Sequence, residues 1–103
     1  MSVVANLSIF PLGDREHLGP YVARALKIIR SSGLSHRLGP MGTAIEGEFD
    51  QVMEVAGRCM RALEQDCDRV YMSLTVDSRK GRTGRLDGKV RSVEEALASE
   101  SGH

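Results

Sequence analysis

Gly39–Glu48, GPMGTAIEGE, is the stretch on which the reading of the fold turns. Pro40 and Gly42 suit positions i+1 and i+3 of a type I turn, so the chain reverses here. Residues 35–40, SHRLGP, are the short strand that enters the turn, and residues 43–47, TAIEG, are the strand that returns. On the return strand Thr43 and Ile45 share one face, and Ala44 and Glu46 the other. A hairpin at this point, in a chain of 103 residues, leaves one strand-helix pair before it and one helix-strand pair after it.

Upstream, residues 2–10, SVVANLSIF, alternate. Val3, Ala5, Leu7 and Ile9 make an apolar face; Val4, Asn6, Ser8 and Phe10 make a mixed one. Pro11 and Gly13 end the strand, and residues 14–19, DREHLG, connect it onward. Pro20 suits a helix start, because its missing N–H is one the helix would not use. Val22, Ala25, Leu26 and Ile29 follow the helical i, i+3, i+4, i+7 rule. Gly33 is placed to cap the helix, with Leu34 folding back on its last turn.

Downstream, a second helix spans residues 49–65. Phe49, Val52, Met53, Ala56, Met60 and Leu63 form its apolar stripe, with Cys59 beside it. Glu48 and Asp50 favour its positive end. Residues 69–77, RVYMSLTVD, are the clearest strand: Val70, Met72, Leu74 and Val76 on one face, Tyr71, Ser73, Thr75 and Asp77 on the other. SRKGRTGR follows as a basic, glycine-rich loop. Val90, Val93 and Leu97 mark a last helix over residues 86–99, and the final ESGH is expected to be loose.

The order is β-α-β-β-α-β plus a helical tail. That predicts an α+β, ferredoxin-like βαββαβ sandwich forming one domain over residues 1–103, with its core at 2–79. In this reading strands one and three are central and parallel, and both helices cover one face. The other face gathers Asn6, Ser8, Ala44, Glu46, Tyr71, Ser73 and Thr75. A solvated sheet face, a contact with another subunit and a ligand site all fit such a surface.

Composition bounds the function. Fourteen basic and fourteen acidic side chains cancel, so bulk charge argues for neither nucleic acid nor an anionic membrane. With four aromatic residues, Phe10, Tyr21, Phe49 and Tyr71, a base-stacking surface is thin. No apolar run nears the roughly 20 residues that cross a bilayer, and MSVVANLSIF lacks the basic start of a signal peptide. Cys59 and Cys67 lie eight residues apart near one helix, ~12 Å by helical rise, which is beyond disulfide reach. Two reduced thiols predict a cytoplasmic protein. His17, His36 and His103 are scattered, so no metal or cofactor site is expected. No nucleophile stands with a base, and GRTGRLDGK is not a Walker loop, so no catalysis is expected.

The segments SGL (Ser32 to Leu34), PMGT (Pro40 to Thr43), IEGE (Ile45 to Glu48), VDSR (Val76 to Arg79) and GKV (Gly88 to Val90) resemble the YkoF-like thiamine-binding family in order and spacing. The resemblance runs from the first strand to Val93. It implies non-catalytic binding of thiamine or its hydroxymethylpyrimidine part, linked to vitamin uptake or salvage. Some members carry two tandem repeats, so a single-repeat chain would act as a homo-oligomer, a dimer or a tetramer.

The side chains offer matching chemistry. An Asn amide meets an amino donor beside a ring-nitrogen acceptor with two hydrogen bonds, and Asn6 is the candidate. Glu46 is the candidate carboxylate for a second pyrimidine nitrogen or for the thiazolium charge. Ser8, Ser73 and Thr75 can add bonds. Phe10 or Tyr71 can stack on the ring or the cation, or fill an interface. Thr43 belongs to the family motif, although its register points it under the helices. Arg79, Lys80, Arg82, Arg85, Lys89 and Arg91 form a basic cluster that would repel a thiazolium but attract a phosphate or an RNA backbone. The alternatives to a thiamine binder are a ferredoxin-like regulatory or scaffolding module for another metabolite or protein, and an RNA-binding module using the basic loop.

Overall fold

The computed structural model describes residues 2–13, 17–80 and 85–101. Residues 14–16 of the connection expected at 14–19, Arg82 with the rest of 81–84, and the end of the tail at 102–103 lie outside them. The chain runs β1 (Ser2–Pro11), α1 (Gly19–Ser31), β2 (Ser35–Gly39), β3 (Gly42–Glu48), α2 (Phe49–Glu64), β4 (Val70–Ser78) and α3 (Arg85–Ser101). The strands form one sheet in the order β2-β3-β1-β4.

Every neighbouring pair in the sheet is antiparallel. This corrects the expectation that the two central strands, β1 and β3, run parallel. The two-residue turn forces β3 against β2, and the α1 crossover leaves β2 running with β1. Inserted between them, β3 must oppose both.

The hairpin closes through Gly39 and Gly42 around Pro40 and Met41. No non-glycine residue among those described has positive φ, so Met41 keeps the negative φ of a type I turn. Such a turn splays its strands unless a neighbouring residue relieves the twist. Gly42 does so at φ +147°. At the far end of α1, Gly33 takes φ +79° as the cap, and its N–H donates to the Arg30 carbonyl at 3.3 Å.

The alternation in β1 is realised in full. Val3, Ala5, Leu7 and Ile9 are buried with Ile45 beneath α1 and α2. The α2 stripe is turned from the one expected: Val52, Val55, Ala56, Cys59 and Leu63 are buried, while Phe49 and Met53 stay exposed. Close approach of α2 to α1 favours the small side chains. The Cys59 thiol donates to the Ala25 carbonyl across that contact at 3.6 Å. On β4 the expected apolar face is only half covered, and Val76 is exposed, because β4 is an edge strand. The α3 side chains Val90, Val93 and Leu97 are exposed in the single chain.

Glu48 leads into α2, and its N–H donates to the Gln51 side-chain oxygen at 3.4 Å. Arg24 ties the two helices together, pairing with Asp66 at 2.7 Å and donating to the Ala62 carbonyl at 3.4 Å.

Two outcomes follow from this packing. A Cβ at position 42 would stand 2.8 Å from the Asn6 Nδ2 and 2.9 Å from the Leu7 carbonyl oxygen. Gly42→Ala is expected to cost about 1–3 kcal/mol in urea unfolding. Adding Asn6→Ala should restore only part, since the Leu7 carbonyl is backbone. Burial pushes the Cys59 thiol from 9.0 up to about 11, against a smaller opposing pull from Arg58. Its contribution to stability is therefore complete below pH 9 and is lost as pH rises toward 11, where the unfolded thiol ionises first. Unfolding free energies of Cys59→Ala should fall less steeply than those of the parent across that window.

Candidate functional site

The sheet has two faces of different character. On the face away from α1 and α2, register sets cross-strand rows. Phe10 lies beside Tyr71, Ser8 beside Ser73, and Asn6 between Ala44 and Thr75. Val4 lies between Glu46 and Asp77. The Phe10 and Tyr71 rings are 5.5 Å apart, centre to centre, and tilted by 35°. Ser8, Phe10 and Glu46 are half-buried; Asn6, Ser73 and Thr75 are exposed. Six of the seven candidate side chains thus share this face.

Within the single chain they spread over several rows of the sheet. Gly42, Ala44 and Glu46 follow one another along this side of β3, and Asn6 stands across from Ala44. The Asn6 amide leans toward Gly42, where both its polar atoms lie within 3.0 Å of the point a Cβ would occupy. Glu46 lies the other way along the strand. Asn6 and Glu46, expected to share a hollow, stand on the same face in neighbouring rows, and the bare Gly42 backbone gives the amide a place to rest. A shallow depression of about 270 Å³ takes in Asn6 and Thr75 but not Glu46.

Thr43 sits on the other side, buried beneath the helices. There it helps line a deeper cleft of about 310 Å³. One wall is α1, through Val22, Ala25, Leu26 and Ile29, with Leu18 just before it; a second is the hairpin from Leu38 to Thr43; the floor is β1 from Leu7 to Phe10. Its volume is at the lower end of the range for small-molecule sites, about 300–1,000 Å³. None of the described residues that line it is ionisable. Thr43 supplies a hydroxyl on this side, and the backbone of the β1 segment and the hairpin supplies further polar groups.

Reasoning from polar side chains passed over this cleft because its walls are apolar. Two signals in the sequence point to it. Val22 and Leu26 belong to the α1 stripe yet are not fully covered. Leu38 and Met41 place apolar side chains at a turn, where polar ones are usual, and Met41 is 84% exposed. Of the basic cluster, Arg79, Lys80 and Arg91 are exposed. Among the described residues no group of three or more His, Cys, Asp or Glu is placed to hold a metal ion.

Comparison with known proteins places this geometry. A family model described as "Thiamine-binding protein" matches residues 5–94. The UPF0045 protein Mb1933 of Mycobacterium bovis is 38% identical over 98 residues, covering 94% of this chain and 96% of its own. The UPF0045 protein MJ1052 of Methanocaldococcus jannaschii is 31% identical over 93 residues, 90% of this chain and 93% of its own. Its crystal structure superposes with a TM-score of 0.84, covering 91% of this chain and 97% of that one. The Thermotoga maritima protein TM0486, described provisionally as a thiamine biosynthesis/salvage protein, superposes with a TM-score of 0.81 at 28% identity, covering 90% of this chain and 99% of that one. The chain belongs to the thiamine-binding protein family.

Proposed function

We propose that this chain binds thiamine, or its hydroxymethylpyrimidine half, in the cleft between α1 and the β2–β3 hairpin. It does so without catalysis, in vitamin uptake or salvage. The observation that carries the reading is the apolar 310 Å³ cleft in a chain of this family. The description of the T. maritima protein supports the same class of ligand.

The chemistry suits binding better than turnover. Apolar walls remove a ring from water, and the gain grows with the apolar area buried, about 25 cal/mol per Å². Thr43, deep on the hairpin side, and the Ser8–Phe10 segment are the candidate residues that border the cleft. With no ionisable side chain among the described residues that line it, the cleft offers no acid or base to a bound molecule.

The same reading assigns the outer face of the sheet to a second copy of the chain. We read the strand order, with α1 and α2 on one side, as the ferredoxin-like arrangement, which leaves the other side bare. Tyr71 is 52% exposed there, paired with a half-buried Phe10. Asn6, Glu46, Ser73 and Thr75 then become polar contacts of a homo-oligomer, a dimer or a tetramer. Cys59 and Cys67 are both buried free thiols, which supports a reducing, cytoplasmic setting.

Thermal shift tests the proposal. Thiamine, its phosphates and the free pyrimidine alcohol are each added to the protein. At least one should raise the melting temperature, by several degrees at a hundredfold excess over its Kd. Val22→Trp, which fills the cleft from a partly exposed position, should remove the rise, while Glu46→Gln should keep it. The opposite pattern would move the ligand to the outer face. No rise with any of the compounds would leave the regulatory or scaffolding module as the better reading.

A further inference from the structure

β1 is longer than its partner. It pairs with β4 as far as Pro11, but with β3 only from Ser2 to Leu7, where the last rung joins Leu7 to Thr43. Extending the register would set Met41 opposite Ile9. Met41 instead lies in the turn, outside the ladder.

The direction of the β1 backbone groups follows from one bond. The Leu12 N–H donates to the Arg69 carbonyl at 2.9 Å, just past the end of β4. In an antiparallel sheet successive residues direct their N–H and C=O to alternate sides. Phe10 and Ser8 therefore look toward β4, and Ile9 looks toward β3, where β3 has already ended. Pro11, the next position on that side, has no N–H. Ile9 is thus the last donor on this flank of β1, with its acceptor beside it. It has no rung opposite, and its segment floors the cleft.

We infer that Ile9 reads the ligand through its backbone: its N–H and C=O take the edge of a flat ring that carries an amino donor beside a ring-nitrogen acceptor. The ring then stands where the next rung of the β1–β3 ladder would be. This rests on the small-molecule reading above and adds which end of the molecule enters and what holds it. Ile9 is 7% exposed, so its polar groups sit in a largely dry place. A backbone donor and acceptor that face no rung of the described ladder there hold free energy that a complementary edge recovers. The described lining side chains carry no charge, so a neutral pyrimidine enters, and a permanent cation attached to it stays at the mouth, in water.

The test uses the whole chain, labelled with nitrogen-15, and two probes. One is the aminopyrimidine alcohol; the other is its analogue with hydrogen in place of the amino group. Titration with the first should shift the Ile9 amide among the most affected signals. It should also slow that amide's hydrogen exchange about tenfold or more at saturation. By calorimetry the analogue should bind about tenfold more weakly or worse. Equal binding of the two probes would overturn the inference. So would shifts gathered at Asn6, Ser73 and Thr75 with Ile9 unmoved, an outcome that leaves small-molecule binding standing on the other face. Shifts nowhere, with either probe, would overturn both.

Discussion

The central strand outruns the strand laid against it, and the cleft exists because of that difference in length. β3 cannot continue beside β1, because the chain has already reversed through Pro40 and Met41. Had the turn come two residues earlier in the sequence, Ile9 would have gained a partner and the floor of the cleft would have closed. Gly42 makes the short turn possible. Its backbone angle relieves the twist of a type I loop, and its missing side chain lets the Leu7 carbonyl and the Asn6 amide approach. The turn that ends the ladder therefore also opens the cleft.

The helices hold this opening in place. α2 packs deeply, with Val52, Cys59 and Leu63 fully buried, so it anchors the sheet. α1 is seated more lightly at its first half. Ala25 and Ile29 are buried, while Val22 and Leu18 are partly exposed over the gap left by β3. The Arg24–Asp66 pair joins α1 to the end of α2. Such an exposed pair contributes little to stability, at most about 1 kcal/mol, but it limits how far the helix can tilt. A wall that is firm at one end and loosely packed at the other would suit the proposed entry of a ring.

The sequence was most legible where pattern and burial share a cause. The strict alternation of Val3, Ala5, Leu7 and Ile9 needs only one covered face, and the strand followed. The turn at Pro40 was equally plain, because proline and glycine restrict the backbone directly. The α2 stripe was misread because two stripes overlap in its sequence. The larger side chains, Phe49 and Met53, drew the reading, whereas the close approach of α1 selected the smaller Val55 and Cys59. The direction of β1 against β3 was misjudged for a different reason: it follows from topology rather than from any residue.

The site was harder to read for a reason that runs deeper. A search for function in a sequence looks for polar side chains, and Asn6, Glu46, Ser73 and Thr75 answered it. They do lie together on one face, as their spacing required, yet that face is open in the single chain and the Asn6 amide leans toward Gly42, away from the row that holds Glu46. The cleft on the other side is walled by leucine, valine, isoleucine and methionine, which look like core in any sequence. Its polar groups belong to the backbone, and every residue has those. What makes the pair on Ile9 special is only that the neighbouring strand stops one rung too soon. A recognition element of this kind is written in the length of a strand, and it becomes visible when the register is known.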